Sequence, residues 1–126
     1  DPTTSWLSRF VAIGGPNHGS TICRGLGESP GSHVCEELEP DGPAFTNEWL
    51  ADLNGIGETP PGPEYLVIYD SVADNFYQGP DAESPRLEGA CNHDLPGRFH
   101  LPIARGLEAV ATYSAFLRDG ALPDCD

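Results

Sequence analysis

The segment Tyr65-Leu66-Val67-Ile68-Tyr69 constrains this chain more than any other. Rich in β-branched and aromatic side chains, it is the strongest strand signal present. Its borders are sharp on both sides. Pro60-Pro61-Gly62-Pro63 before it can be neither helix nor inner strand, because proline lacks the N–H a ladder needs, so it reads as an extended connector. A polar stretch, Asp70 to Pro85, follows it.

The remaining elements arrange themselves around this strand. Arg9-Phe10-Val11-Ala12-Ile13-Gly14 reads as a short, fully buried strand ending in Gly14-Gly15-Pro16, since apolar character on both faces is what a central parallel strand shows. Residues 16–44 carry scattered Gly, Pro and Ser and read as an elaborated loop. Phe45 to Asn54 predicts a short helix: Thr46 can cap it, Phe45, Trp49, Leu50 and Leu53 share a stripe, and Gly55 ends it. Leu87 to Leu95 is a weaker strand candidate. A last helix is expected from Pro102 to Arg118, with Pro102 at its first position and Gly120 just past its end. Its expected buried stripe is Ile103, Leu107, Val110, Ala111, Ser114 and Leu117. Strands alternating with helices predict one α/β domain over residues 1–126, a parallel sheet with flanking helices. Ligands in such sheets bind beyond the carboxyl ends of the strands, which points to the loops after Ile13, Tyr69 and Leu95.

Composition bears on partners and compartment. The 13 Pro and 15 Gly approach the range where disorder competes with folding, but the apolar segments argue for a folded chain with long turns. A net charge of −14, from 20 acidic and 6 basic side chains, repels nucleic acid and anionic membranes. No run approaches the ~20 apolar residues of a membrane span, and none resembles a signal peptide. The chain has no Met, so the expectation is a processed product, a fragment or one piece of something longer. Cys23, Cys35, Cys91 and Cys125 lack the close pairing of zinc or redox sites. An even number favours disulfides and a secreted, extracellular setting. Of three possible pairings, Cys23–Cys35 and Cys91–Cys125 are favoured, the first adding roughly 3 kcal/mol in the chain-entropy model.

The loop after Tyr69 reads Asp70-Ser71-Val72-Ala73-Asp74-Asn75, and the loop after Leu95 reads Pro96-Gly97-Arg98-Phe99-His100-Leu101. An acid after one strand and a histidine after the next is the arrangement that orients a general base: the acid fixes the imidazole tautomer and stabilises the imidazolium. Hydrolases of this fold run serine, acid, histidine along the chain, and the acid-to-histidine spacing of 26 residues fits that order. Asp74 is the preferred acid, with Asp70 its rival. His100 is preferred over His93, which falls inside the expected strand Leu87 to Leu95. His18 and His33 read as loop histidines, His18 with a further chance of lining the cleft. Asp81 and Glu83 read as solvated surface.

These segments resemble a known family. Ile13-Gly14-Gly15-Pro16-Asn17 is similar to the Leu-Gly-Gly-x-Asn turn after the sixth strand of small bacterial lipases of the α/β-hydrolase fold. Ile68-Tyr69 with Ser71-Val72-Ala73-Asp74 resembles their segment bearing the triad acid, and Leu87-Glu88-Gly89-Ala90-Cys91-Asn92 resembles their Leu-Asp-Gly-Ala-x-Asn segment. Eight residues beyond that Asn the family places its catalytic histidine, where Gly97-Arg98-Phe99-His100-Leu101 stands here. The resemblance covers residues 10–18 and 65–117 and implies a secreted lipase or esterase, with polyester (polyhydroxyalkanoate) depolymerases as relatives. It implies Asp74 and His100 as the triad acid and base and no metal or organic cofactor.

The nucleophile is the missing member. Gly27-Glu28-Ser29-Pro30-Gly31 matches the Gly-x-Ser-x-Gly pattern, but the residue after an elbow serine must lend its N–H to the oxyanion hole. Pro30 has no N–H, and no strand leads into Ser29. In the family the serine lies upstream of the first strand seen here, so the expectation is a C-terminal portion of an α/β-hydrolase, inactive alone. An N-terminal fragment or companion chain would carry the serine. The alternative is a non-catalytic, disulfide-stapled binding domain.

Overall fold

The computed structural model describes residues 6–22, 38 and 47–126. Three strands, β1 (Arg9–Ile13), β2 (Glu64–Tyr69) and β3 (Cys91–Asp94), form one parallel sheet in the order β1-β2-β3. Arg9 stands opposite Glu64 and Ile13 opposite Ile68, while Leu66 stands opposite Cys91 and Tyr69 opposite Asp94. Among the described residues three α-helices accompany the sheet, α1 (Glu48–Gly55), α2 (His100–Ile103) and α3 (Leu107–Asp119), with a 3-10 turn at Gly79–Asp81.

β2 is central and its last four residues are fully buried, as its side chains demand. Alternation splits them between two cores. Leu66 and Ile68 join Leu95, Ile103, Ala109 and Phe116 on one face, with Val11 and Ile13 at the margin. Val67 and Tyr69 join Leu87 on the other, beside Ala12 and Ala90. β1, expected to be fully buried, is not: among the described residues it pairs on one side only, and Phe10 is exposed. An apolar run shows that a strand has a buried role but not how many neighbours it has.

The expected single helix from Pro102 to Arg118 is two helices. Gly106 breaks it with extended backbone (ψ 139°), the N–H groups of Arg105 and Gly106 both bonding to the Pro102 carbonyl. The break resets the helical phase, so Ile103 and Leu107 no longer share a face. Ile103, Ala109 and Phe116 are buried, whereas Leu107, Ala111, Ser114 and Leu117 are exposed. The real stripe is Ala109, Tyr113 and Phe116. Gly120 closes α3 as expected, at φ +73°, its N–H reaching the Phe116 carbonyl.

Two local expectations also shift. Asn47, not Thr46, caps α1, its Oδ1 accepting the Leu50 N–H at 3.1 Å; Phe45 and Thr46 lie outside the described residues. The strand expected from Leu87 begins only at Cys91, because Asn92 folds the preceding residues into a turn. Its Oδ1 accepts from the Leu87 N–H and its Nδ2 donates to the Leu87 and Ala90 carbonyls.

Cys91 and Cys125 are disulfide-bonded, as favoured; Cys23 and Cys35 lie outside the described residues. The bond draws the C-terminus against β3, where Asp126 N–H donates to the Asn92 carbonyl and the Tyr69 hydroxyl donates to the Asp126 carboxylate. No helix among the described residues is long and apolar enough to cross a membrane.

Candidate active site

The carboxyl ends of three adjacent parallel strands deliver three residues to one point. Asp74 comes from the turn after β2, and His100 opens α2 beyond β3. The His100 Nδ1 lies 2.8 Å from Asp74 Oδ2. An ionised carboxylate only accepts, so Nδ1 carries the proton and Nε2 is left as the basic nitrogen. Asp74 is wholly buried, while the His100 side chain keeps 23% of its surface exposed. The second Asp74 oxygen, Oδ1, accepts the Phe76 N–H at 2.8 Å. The acid is thereby held at both oxygens.

The third residue is Gly14, from the turn after β1. It sits at φ +56°, and a Cβ there would stand 3.2 Å from His100 Cε1 and 3.9 Å from Asp74 Oδ2. Only glycine combines that backbone with that proximity. The three loops expected from topology therefore converge.

Phe76 and Tyr77 complete the walls. Their ring centroids lie 4.5 Å and 5.5 Å from that of His100. Burial, with Asp74 and Asp81 nearby, pushes the Tyr77 hydroxyl up to about 12. Both rings lie in the stretch Asp70 to Pro85, whose overall composition is polar and hides them. Their spacing from Asp74, two and three residues on, was the available signal.

The rival residues lie elsewhere or do other work. Asp70 is wholly buried, but it bonds to backbone amides rather than to His100: Oδ1 accepts from Val72 and Ala73 at 2.8 Å, and Oδ2 accepts from Arg98. His93 Nδ1 lies 2.8 Å from the Asp124 carbonyl, at the C-terminal tail. His18 Nε2 lies 3.3 Å from Glu58 Oε1. Ser29 and His33 lie outside the described residues. Asp81 is not solvated surface: it is buried, accepting from the Thr21 N–H and hydroxyl, because this pair ties the segment after β1 to the acid loop. Glu83 does lie at the surface, paired with Arg86.

A cavity of about 440 Å³ opens between α1 and the sheet, lined among others by Phe10, Ala12, Trp49, Leu53 and Tyr65. Neither Asp74 nor His100 lines it.

Compared with known proteins, the chain matches no protein-family model and no curated protein.

Proposed function

We propose that this chain is the acid- and histidine-bearing portion of a secreted α/β-hydrolase that cleaves carboxylic esters, its serine supplied by an N-terminal fragment or companion chain. The observation that carries the reading is the 2.8 Å contact between His100 Nδ1 and a buried Asp74 at the carboxyl ends of parallel strands. In this reading a serine hydroxyl loses its proton to His100 Nε2 as its oxygen attacks the ester carbonyl. The imidazolium so formed is stabilised by Asp74 and returns the proton to the departing alkoxide. Water then repeats the sequence on the acyl-enzyme, with His100 as base and then acid. Among the described residues β1 pairs on one side only, an edge to which a further strand could add. The Cys91–Cys125 disulfide fits an oxidising compartment.

The test is to express the chain together with whatever its coding sequence encodes upstream and to measure release of a chromogenic alcohol from a short-chain ester. Hydrolysis by the longer protein, lost on His100→Ala, is expected. Hydrolysis that survives His100→Ala, or an upstream segment without an elbow serine, would overturn it.

The second reading, a binding domain, draws on the cavity beneath α1, which the acid–histidine pair does not touch. It requires an apolar ligand to bind equally well to the His100→Ala protein, with no ester turnover by the longer one.

A further inference from the structure

Asp70 is a wholly buried carboxylate to which the hydrolytic scheme gives no task. Its two oxygens face different segments. Oδ1 gathers the N–H groups of Val72 and Ala73, closing the turn that ends in Asp74. Oδ2 accepts the N–H of Arg98, two residues before His100. We propose that Asp70 is a positioning residue, a clamp that joins the acid turn to the histidine loop and sets the Asp74–His100 contact. The proposal rests on Asp74 and His100 being a proton-transfer pair.

The loop beyond β3 explains why a clamp is needed. Its last sheet-like bond is Leu95 N–H to the Tyr69 carbonyl at 2.8 Å. Pro96 then has no N–H to give, and Gly97, at φ +85°, is the residue type least restrained by its own backbone. The Arg98 N–H to Asp70 is thus the next backbone anchor after Leu95; the Arg98 guanidinium also reaches Glu108 at 3.0 Å, but that pair is exposed and holds the side chain, not the loop backbone. Ser71, which bonds to both oxygens of Asp94, ties the acid turn to the end of β3 but not to the loop past it. A rigid, buried group joining both loops transmits the spacing of β2 and β3 directly to the pair.

The group must also be a carboxylate. Three N–H donors converge on it, and an ionised carboxylate is acceptor-only, with lone pairs for all of them. An amide of the same shape turns its NH₂ against at least one donor. Asp70→Asn therefore removes one side of the clamp with little change of volume.

Proton NMR of the 126-residue chain tests this. In the wild type, the Nδ1–H of His100 gives a resolved downfield line that disappears in Asp74→Ala, and the Arg98 amide exchanges as slowly as that of Leu95. In Asp70→Asn, Arg98 exchange should accelerate about 10- to 100-fold and the His100 line should broaden or vanish. The dispersed methyl signals of Leu66 and Ile68 should persist. A merely structural role would lower the melting temperature yet leave the His100 line sharp below it, and that result overturns the clamp alone. Should Asp70→Asn not fold, wild-type exchange decides: an Arg98 amide as free as an exposed loop amide overturns it. A wild type with no His100 line removes the pair itself, and the clamp with it.

Discussion

A methyl group on Gly14 would stand 3.2 Å from the Cε1 of His100, so the turn after β1 and the loop after β3 meet closely enough that a side chain there would push the imidazole aside by a few tenths of an ångström. That contact is not visible from either residue's sequence neighbourhood. It separates two roles a glycine can have. Gly14 and Gly79 both have positive φ, +56° and +59°, but a Cβ at Gly79 meets nothing within 4 Å. Gly79→Ala should cost backbone strain and leave the ring signals of His100 in place. Gly14→Ala should cost backbone strain too and, unlike Gly79→Ala, shift the ring signals of His100. An undisturbed His100 in both variants would contradict the close approach.

Asp74→Asn addresses the polarity of the pair. The amide offers one acceptor where the carboxylate offered two, so either the Phe76 N–H or the His100 Nδ1–H faces a donor. Assayed in the longer protein of the proposed hydrolase, kcat should fall by about 10⁴-fold with little change in KM, as expected when the wrong imidazole tautomer is favoured. A loss below tenfold would mean that His100 is oriented by something else.

The face of α3 is open to a direct comparison. Phe116 is fully buried and Leu107 is 90% exposed. Phe116→Ala should destabilise by about 3–5 kcal/mol, whereas Leu107→Ala should stay within about 0.5 kcal/mol. Urea unfolding of the two variants checks it. A larger loss at Leu107 would restore the stripe that the sequence suggested.

Alkaline pH should expose Tyr77. Burial, then Asp74 and Asp81, raise its hydroxyl from 10.0 to about 12, so the fold favours the neutral phenol. The stability this contributes is whole below pH 10 and is lost as the pH rises from 10 to about 12. Burial and the bond to Asp126 raise Tyr69 further, which extends the loss to still higher pH. Thermal melts across this range should show a decline that Tyr77→Phe makes shallower. An unchanged slope in that variant would assign the decline elsewhere.

The Cys91–Cys125 bond closes a loop with a sequence separation of 34. Chain entropy alone assigns it ~4 kcal/mol, an upper figure where the reduced chain stays compact. Cys91→Ser with Cys125→Ser should lower the urea midpoint by a corresponding amount. It should also free the bonds of Asp124 to His93 and Asp126 to Tyr69. A midpoint that does not move would show that the tail is held without the bond.

Local chemistry decided much of this protein before folding. The side chains of Tyr65 to Tyr69 leave that segment few fates other than a strand, and Gly120 stops a helix wherever that helix lies. The order of acid and histidine after successive strands was legible too, because parallel topology sends the ends of neighbouring strands to the same edge. What the sequence alone could not decide is how partners divide between equivalent groups. Asp70 and Asp74 are both aspartates in one loop. Only the positions of the Val72, Ala73 and Arg98 amides commit the first to backbone and leave the second for His100. The buried face of α3 was likewise undecided, because the break at Gly106 rotates the helix and periodicity carries no phase across a break. Phe76 and Tyr77 read as loop residues until the turn at Asp74 folded them against the imidazole. Propensity and pattern act within a few residues and are written locally, whereas each of these choices depends on groups brought together from distant parts of the chain.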